Sequence, residues 1–212
     1  MNFEMMRSSP PQTPYAPIWD YSLGVSLCKD INLSKLSKTC LQKEREILKL
    51  PYYTDGYTGL GKRSTTSRFV YYNVLEWKTE ETQRLKSNIA RGLIEYNNHF
   101  KNDTPSIWVR CWVNILRWGQ YIKPHLHQSN SKCYLSGHFN VQCGDTSTVY
   151  MNPIDHQVSD SEHLKRKNVL GELTIFPSYV YHYTTKHYSF KPRITIAFDL
   201  YQHYIDSSTI LL

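Results

Sequence analysis

Gln120–Val141 reads QYIKPHLHQSNSKCYLSGHFNV. Two runs with strand character, 120–127 and 134–141, flank a cluster of Gln, Ser, Asn and Lys that reads as a turn. The same texture holds on both sides of it. Short runs of Val, Ile, Tyr, Phe and Trp alternate with Gly, Asn and Asp clusters, which predicts strands at 107–117, 120–127, 134–141, 147–152, 171–176, 179–185 and 193–201. Many short strands with frequent turns and no intervening helical pattern indicate a mainly β (α+β) chain. The expected architecture is a double-stranded β-helix, that is, a jelly roll, with two flanking N-terminal helices.

Upstream the pattern is mixed. Residues 1–17 carry Ser and Pro punctuation and are expected to form a flexible arm, with a single domain over 18–212: a support region at 18–106 and the β core at 107–201. IWDYSLGVSL, from Ile18, reads as a first strand. Asn32–Lys49 has helical apolar spacing, an Asn or Ser cap and Pro51 beyond its end. SRFVYYNVLEW, from Ser67, reads as a strand, and a second helix starts after Thr79 with Glu80 and Glu81 in its first turn, where the helix dipole favours anions. Gly56–Arg63, GYTGLGKR, nearly fits the phosphate-cradling G-x-x-x-x-G-K-[ST] pattern. Arg63 stands where a hydroxyl is needed and no apolar strand precedes, so it reads as a glycine turn.

The 212 residues carry a net charge of +7, a basic balance compatible with nucleic acid, anionic metabolites or acidic protein partners. No nucleic-acid recognition motif accompanies it, and the basic residues are scattered. Five cysteines without a C-x-x-C pair give neither a disulfide framework nor a zinc knuckle. With no signal-like segment and no apolar run long enough to span a bilayer, the expectation is a soluble cytoplasmic protein.

The chemistry concentrates in the opening stretch. Alternation on a strand sends His125 and His127 to one face, half of a metal site. His182, on a late strand, is the best third ligand, and in a jelly roll early and late strands can meet at one mouth. Arg193 opens the next strand as a bidentate carboxylate clamp, with Thr195 on the same face. A single strand histidine is more often packed or on the surface than a ligand; the pair, the third histidine and the spaced arginine together shift the balance. His138 reads as a packed histidine or a substrate contact, and His187 as a loop residue. Asn114, Tyr121 and Tyr134 are polar groups that could reach a bound anion. Tyr179, Tyr181, Tyr183 and Tyr188 could line a substrate mouth.

The ordered set H-x-[D/E] … H … R-x-[S/T] is the arrangement of 2-oxoglutarate- and iron(II)-dependent oxygenases. WGQYIKPHLH from Trp118, YLSG from Tyr134, GELTIFPS from Gly171 and RITIAF from Arg193 resemble the small prolyl-hydroxylase-like oxygenases of marine phages and bacteria. PYAPIWDY from Pro14 resembles that group's opening. The likeness covers most of the chain and is dense from Trp108 to Leu200. The resemblance implies a cupin-like fold, with His125 and His182 as neutral imidazole ligands of Fe(II). Arg193 and Thr195 would bind the distal carboxylate of 2-oxoglutarate, with Tyr134 and Asn114 as further contacts. It further implies hydroxylation of a C–H bond with decarboxylation of 2-oxoglutarate to succinate, and ascorbate for reactivation. One departure is plain: His127 stands where the wider superfamily has Asp or Glu. Either His127 is the third ligand, or it lies behind the site and an acid such as Asp145 completes it. Three rivals are a three-histidine dioxygenase that does not use 2-oxoglutarate, a non-enzymatic metal-containing jelly roll and, without a recognition motif, a basic nucleic-acid binder. Protein side chain, nucleobase and small molecule all remain open as substrate, with the entrance shaped by 52–67, 128–132 and 155–168.

Overall fold

The computed structural model describes residues 1–154 and 163–212. Its ten strands, in chain order, are β1 (Asn2–Arg7), β2 (Asp20–Leu27), β3 (Trp108–Leu116), β4 (Leu135–Gln142), β5 (Ser147–Tyr150), β6 (Leu164–Lys167), β7 (Glu172–Pro177), β8 (His182–Thr184), β9 (Arg193–Tyr201) and β10 (Ile210–Leu211). Seven form an antiparallel sheet in the order β1-β2-β7-β4-β9-β3-β10, and three form a second sheet in the order β6-β5-β8. This is the two-sheet jelly roll that the strand pattern predicts.

Two helices cover one face of the large sheet, α1 (Leu33–Ile47) and α2 (Glu80–His99). Asn32 caps α1 by accepting from the Lys35 amide, and Thr79 caps α2 by accepting from the Thr82 amide. Leu85, Ile89 and Leu93 give α2 its buried stripe. The central strands meet the helices with every second residue: Val109, Cys111, Val113 and Ile115 of β3, Phe139 and Val141 of β4, and Ile194, Ile196, Phe198 and Leu200 of β9 share one core. The other parity of the same strands is polar and faces the interior between the sheets: Arg110, Trp112 and Asn114; His138; Arg193, Thr195, Ala197 and Asp199. Strands buried on both faces, apolar toward the helices and polar toward the interior, announce a built cavity.

Three expectations need correction. Residues 2–7 are not a loose arm: β1 pairs with β2 over six residues, from Asn2↔Val25 to Arg7↔Asp20. Residues 67–77 are not a strand but pass through two short 3-10 turns, Thr66–Arg68 and Val74–Glu76. The Asn73 side chain accepts from the Leu75 amide and donates to the Val109 and Ser208 carbonyls, so it competes with any ladder there. Residues 120–127 do not form a strand: His125 alone pairs, as a bridge, exchanging both backbone hydrogen bonds with His182 at 3.1 and 2.9 Å. Pro124, which has no amide proton to give, stands immediately before it.

The Gly56–Arg63 turn leads into the three-residue 3-10 turn, so no helix N-terminus faces it. Of the insert 155–168, Leu164–Lys167 forms β6 and residues 155–162 lie outside the described residues. Among the described residues no helix is long and apolar enough to cross a membrane.

Candidate active site

His125, His127 and His182 come together. Each offers a ligand atom, and these atoms lie within 4.8 Å of one another. The bridge between His125 and His182 fixes two of them, and His127, two residues on, is held by its own amide, which bonds the Ser178 carbonyl at 3.1 Å. Every Nδ1 is already engaged. His125 Nδ1 donates to the Lys123 carbonyl at 2.9 Å and His182 Nδ1 to the Val180 carbonyl at 3.0 Å. His127 Nδ1 donates to Asp199 Oδ1. A carbonyl or carboxylate oxygen only accepts, so all three rings carry a proton on Nδ1, and Nε2 is the atom of each left to face a metal. Burial, then His127 beside it, pushes His125 down to about 4. Burial and the two neighbouring imidazoles push His182 well below the ordinary value. Both are neutral near pH 7, the form that binds a metal. Donor set, tautomers and convergence fit a divalent first-row ion.

The cavity behind this cluster has a volume of about 220 Å³. β9 forms its floor, with Arg193, Thr195, Ala197 and Asp199 alternating inward. Across the register, Thr195 lies between Asn140 of β4 and Asn114 of β3, Ala197 between His138 and Trp112, and Asp199 between Ser136 and Arg110. Ala197 has the smallest side chain of the set, which leaves room in the middle of the floor.

Arg193 is 1% exposed, and its Nε and Nη1 have no protein partner. Burial pushes the guanidinium down to about 10, against Cys143 and Tyr150, so it remains charged at neutral pH. A buried cation with two of its donor nitrogens unpaired is costly unless an anion binds them. The Thr195 hydroxyl, both polar atoms of the Asn140 amide and His138 Nδ1 are also buried without a partner. His138 Nε2 pairs with the Tyr150 hydroxyl at 2.7 Å, and burial, then Arg193, pushes this imidazole down to about 3. The interior end of the cavity is therefore built for an anion with further hydrogen-bonding groups.

Other expected residues fall differently. Asn114 lines the cavity, its Oδ1 accepting from the Thr66 hydroxyl at 2.5 Å. Tyr134 does not: its hydroxyl pairs with Asn97 on α2, and the ring packs against the helix-side core, so its expected contact with 2-oxoglutarate is corrected. Asp145 is exposed and paired with Lys167 at 3.1 Å, which removes it as the alternative ligand. Tyr121, Tyr179, Tyr181, Tyr183 and Tyr188 are not part of the cavity wall. The 52–67 loop is, through Asp55, Gly56, Thr58 and Thr66.

Sequence reasoning missed Asp199, Trp112, whose ring centroid is 5.5 Å from that of His127, and Arg110. The signal for Asp199 was available, since the alternation that pairs Arg193 with Thr195 runs on through Ala197 to Asp199.

Residues 110–199 match the family model described as "Putative 2OG-Fe(II) oxygenase". No curated protein sequence matches the chain. Among solved structures, a Pseudomonas putida prolyl-4-hydroxylase is similar with a TM-score of 0.56 at 14% identity, covering 85% of this chain and 94% of that one. A prolyl hydroxylase from Trichoplax adhaerens, in complex with a hypoxia inducible factor oxygen degradation domain peptide fragment, gives 0.53 at 14% identity, covering 84% of each chain. The non-heme alpha ketoglutarate dependent epimerase SnoN from nogalamycin biosynthesis gives 0.53 at 13% identity, covering 85% of this chain and 76% of that one. In fold over most of its length, and in sequence from Arg110 to Asp199, the chain resembles the 2-oxoglutarate/Fe(II)-dependent oxygenases.

Proposed function

We propose that this chain is an iron(II)- and 2-oxoglutarate-dependent dioxygenase that hydroxylates a C–H bond of a protein side chain or small molecule. The observation that carries the reading is the pairing, in one cavity, of three imidazoles that present Nε2 to one point and a buried guanidinium whose Nε and Nη1 have no acceptor. His125, His127 and His182 hold the metal. Arg193 clamps the distal carboxylate of 2-oxoglutarate through its unpaired Nε and Nη1, and the Thr195 hydroxyl adds a donor. When bound, metal and cosubstrate supply the oxidising chemistry, one atom of O₂ passing to succinate and the other to the substrate. The protein orients and excludes water. The Nδ1 bonds fix each imidazole plane, and Trp112 and Phe69 wall the cavity on the loop side. Ascorbate as a reactivating reductant belongs to the same proposal. A three-histidine dioxygenase that ignores 2-oxoglutarate leaves the unpaired Arg193 without a role.

Two measurements test this. His125→Ala and His182→Ala are expected to abolish Fe(II) binding under anaerobic conditions while far-UV dichroism is retained; full occupancy in either variant sinks the metal assignment. Arg193→Leu is expected to weaken 2-oxoglutarate by about 2–5 kcal/mol in calorimetry, the range for losing one partner of a buried charge pair. Unchanged affinity would place the clamp elsewhere.

A further inference from the structure

Three neutral imidazoles around a divalent ion leave the centre with a charge of +2, where a face of two histidines and one carboxylate leaves +1. The missing anion is close by. Asp199 lies on the inward face of β9, directly behind His127, and its Oδ1 accepts from His127 Nδ1. The Ser136 hydroxyl donates to the same oxygen at 2.6 Å, and the Tyr201 hydroxyl donates to Oδ2 at 3.1 Å. With Oδ1 occupied by two donors, the carboxylate is held as the acceptor behind the imidazole. It is not one of the converging ligand groups.

The charge of Asp199 is also left for His127 to use. Its register neighbour on β3 is Arg110, which could have neutralised it. Arg110 is instead taken by the chain's last loop: its Nη2 pairs with Asp206 at 2.5 Å and its Nε donates to Ser208 at 2.7 Å. Among the described residues, only neutral hydroxyls and the His127 ring donate to Asp199.

We propose that Asp199 is the anionic positioning residue of this centre: it locks the plane and tautomer of His127 and supplies, one hydrogen bond removed, the negative charge that three neutral histidines lack. A carboxylate accepting from Nδ1 polarises the ring and makes Nε2 a stronger donor to the metal. The chain thus exchanges an inner carboxylate for an outer one at the same total charge. This rests on the reading of the histidines as a metal centre.

The test uses the full chain with Co(II) alone, anaerobically, read by affinity and by the visible absorption of the bound ion. Asp199→Asn keeps an acceptor for His127 and removes the charge. It is expected to weaken Co(II) by about 10–100-fold and to shift the ligand-field bands, with dichroism and melting close to wild type. Asp145→Asn removes a carboxylate that is exposed and outside the cavity, and is expected to bind Co(II) as wild type. Should Asp199→Asn fail to fold, Asp199→Ser is judged by the same two readouts. Wild-type affinity and spectrum in the Asp199 variant, or equal losses in the Asp199 and Asp145 variants, overturn the assignment while leaving the metal centre standing. A wild-type chain that takes up no Co(II) removes the metal centre itself, and the role of Asp199 with it.

Discussion

Protonating His138 in the folded chain sets a second positive charge near Arg193 with little water between them. Its pKa, about 3 in the fold, compares with about 6.5 for a free histidine. As pH falls the unfolded chain takes up this proton first. The stability linked to His138 is therefore complete above about pH 6.5 and is lost progressively as pH falls toward 3. In metal-free protein, His138→Gln is expected to flatten the fall of Tm between pH 7 and 4. It will not abolish that fall, because His125 and His182 shift in the same direction. A slope equal to wild type would show that His138 is protonated without penalty. The Asp199 contact also changes what His127→Asp should do. Before the fold is considered, that substitution looks like a restored common ligand set; in the fold it faces Asp199 with a second carboxylate and removes a donor. The metal-free His127→Asp protein is expected to melt below wild type, and adding Asp199→Asn should recover most of the loss. The three histidines, Arg193 and Thr195 were legible because each sits in a short ordered motif. The face of Asp199 was legible by the same alternation, but its role was not, because that depends on what β3 and β4 place beside it, and pairing between strands far apart in sequence leaves no local pattern.

Among the elements, β1 separates the two readings of the N-terminus. A loose arm could be removed at no cost, whereas six paired residues cover the edge of β2. Met1 also reaches α2, its amino group bonding Glu95 at 2.5 Å. Deleting residues 1–8 is expected to lower Tm and promote self-association through the bared β2 edge; an unchanged, monomeric melting curve would restore the arm. In β4, Gly137 has no room for a side chain: a Cβ there would meet the Phe198 ring and the Thr174 carbonyl oxygen, and the backbone atom cannot swing aside. Gly137→Ala should cost at least about 1–3 kcal/mol in urea unfolding, the cost of overpacking a dense interior. Element type was readable wherever periodicity was long: both helices, their Asn32 and Thr79 caps, and β3, β4 and β9. It failed at 67–77, where strand-forming residues are overruled by the side-chain bonds of Asn73, and at 120–127, where one bridge replaces a ladder. Tyr134 failed for a related reason, since it sits at the edge of β4 and turns to Asn97 on α2.

At the scale of the whole molecule, the candidate site spans both sheets. His182 opens β8 of the small sheet, while Arg193, Thr195 and Asp199 belong to β9 of the large one, with His125 tied to β8 by its bridge. These strands do not pair directly, so a metal and cosubstrate bound between them would act as a cross-link from sheet to sheet. A ligand that binds only the folded state at about 100 times its Kd adds about 2.7 kcal/mol. For a chain of this length that corresponds to a rise in Tm of about 5–10 °C. Co(II) with 2-oxoglutarate, added anaerobically, is expected to give this rise and to slow amide exchange in β8 and β9 together. Arg193→Leu should keep the part due to metal alone and lose the increment due to 2-oxoglutarate. Protection confined to β9, with β8 exchanging as before, would mean that the anion binds while the histidines do not, and the site would then belong to one sheet.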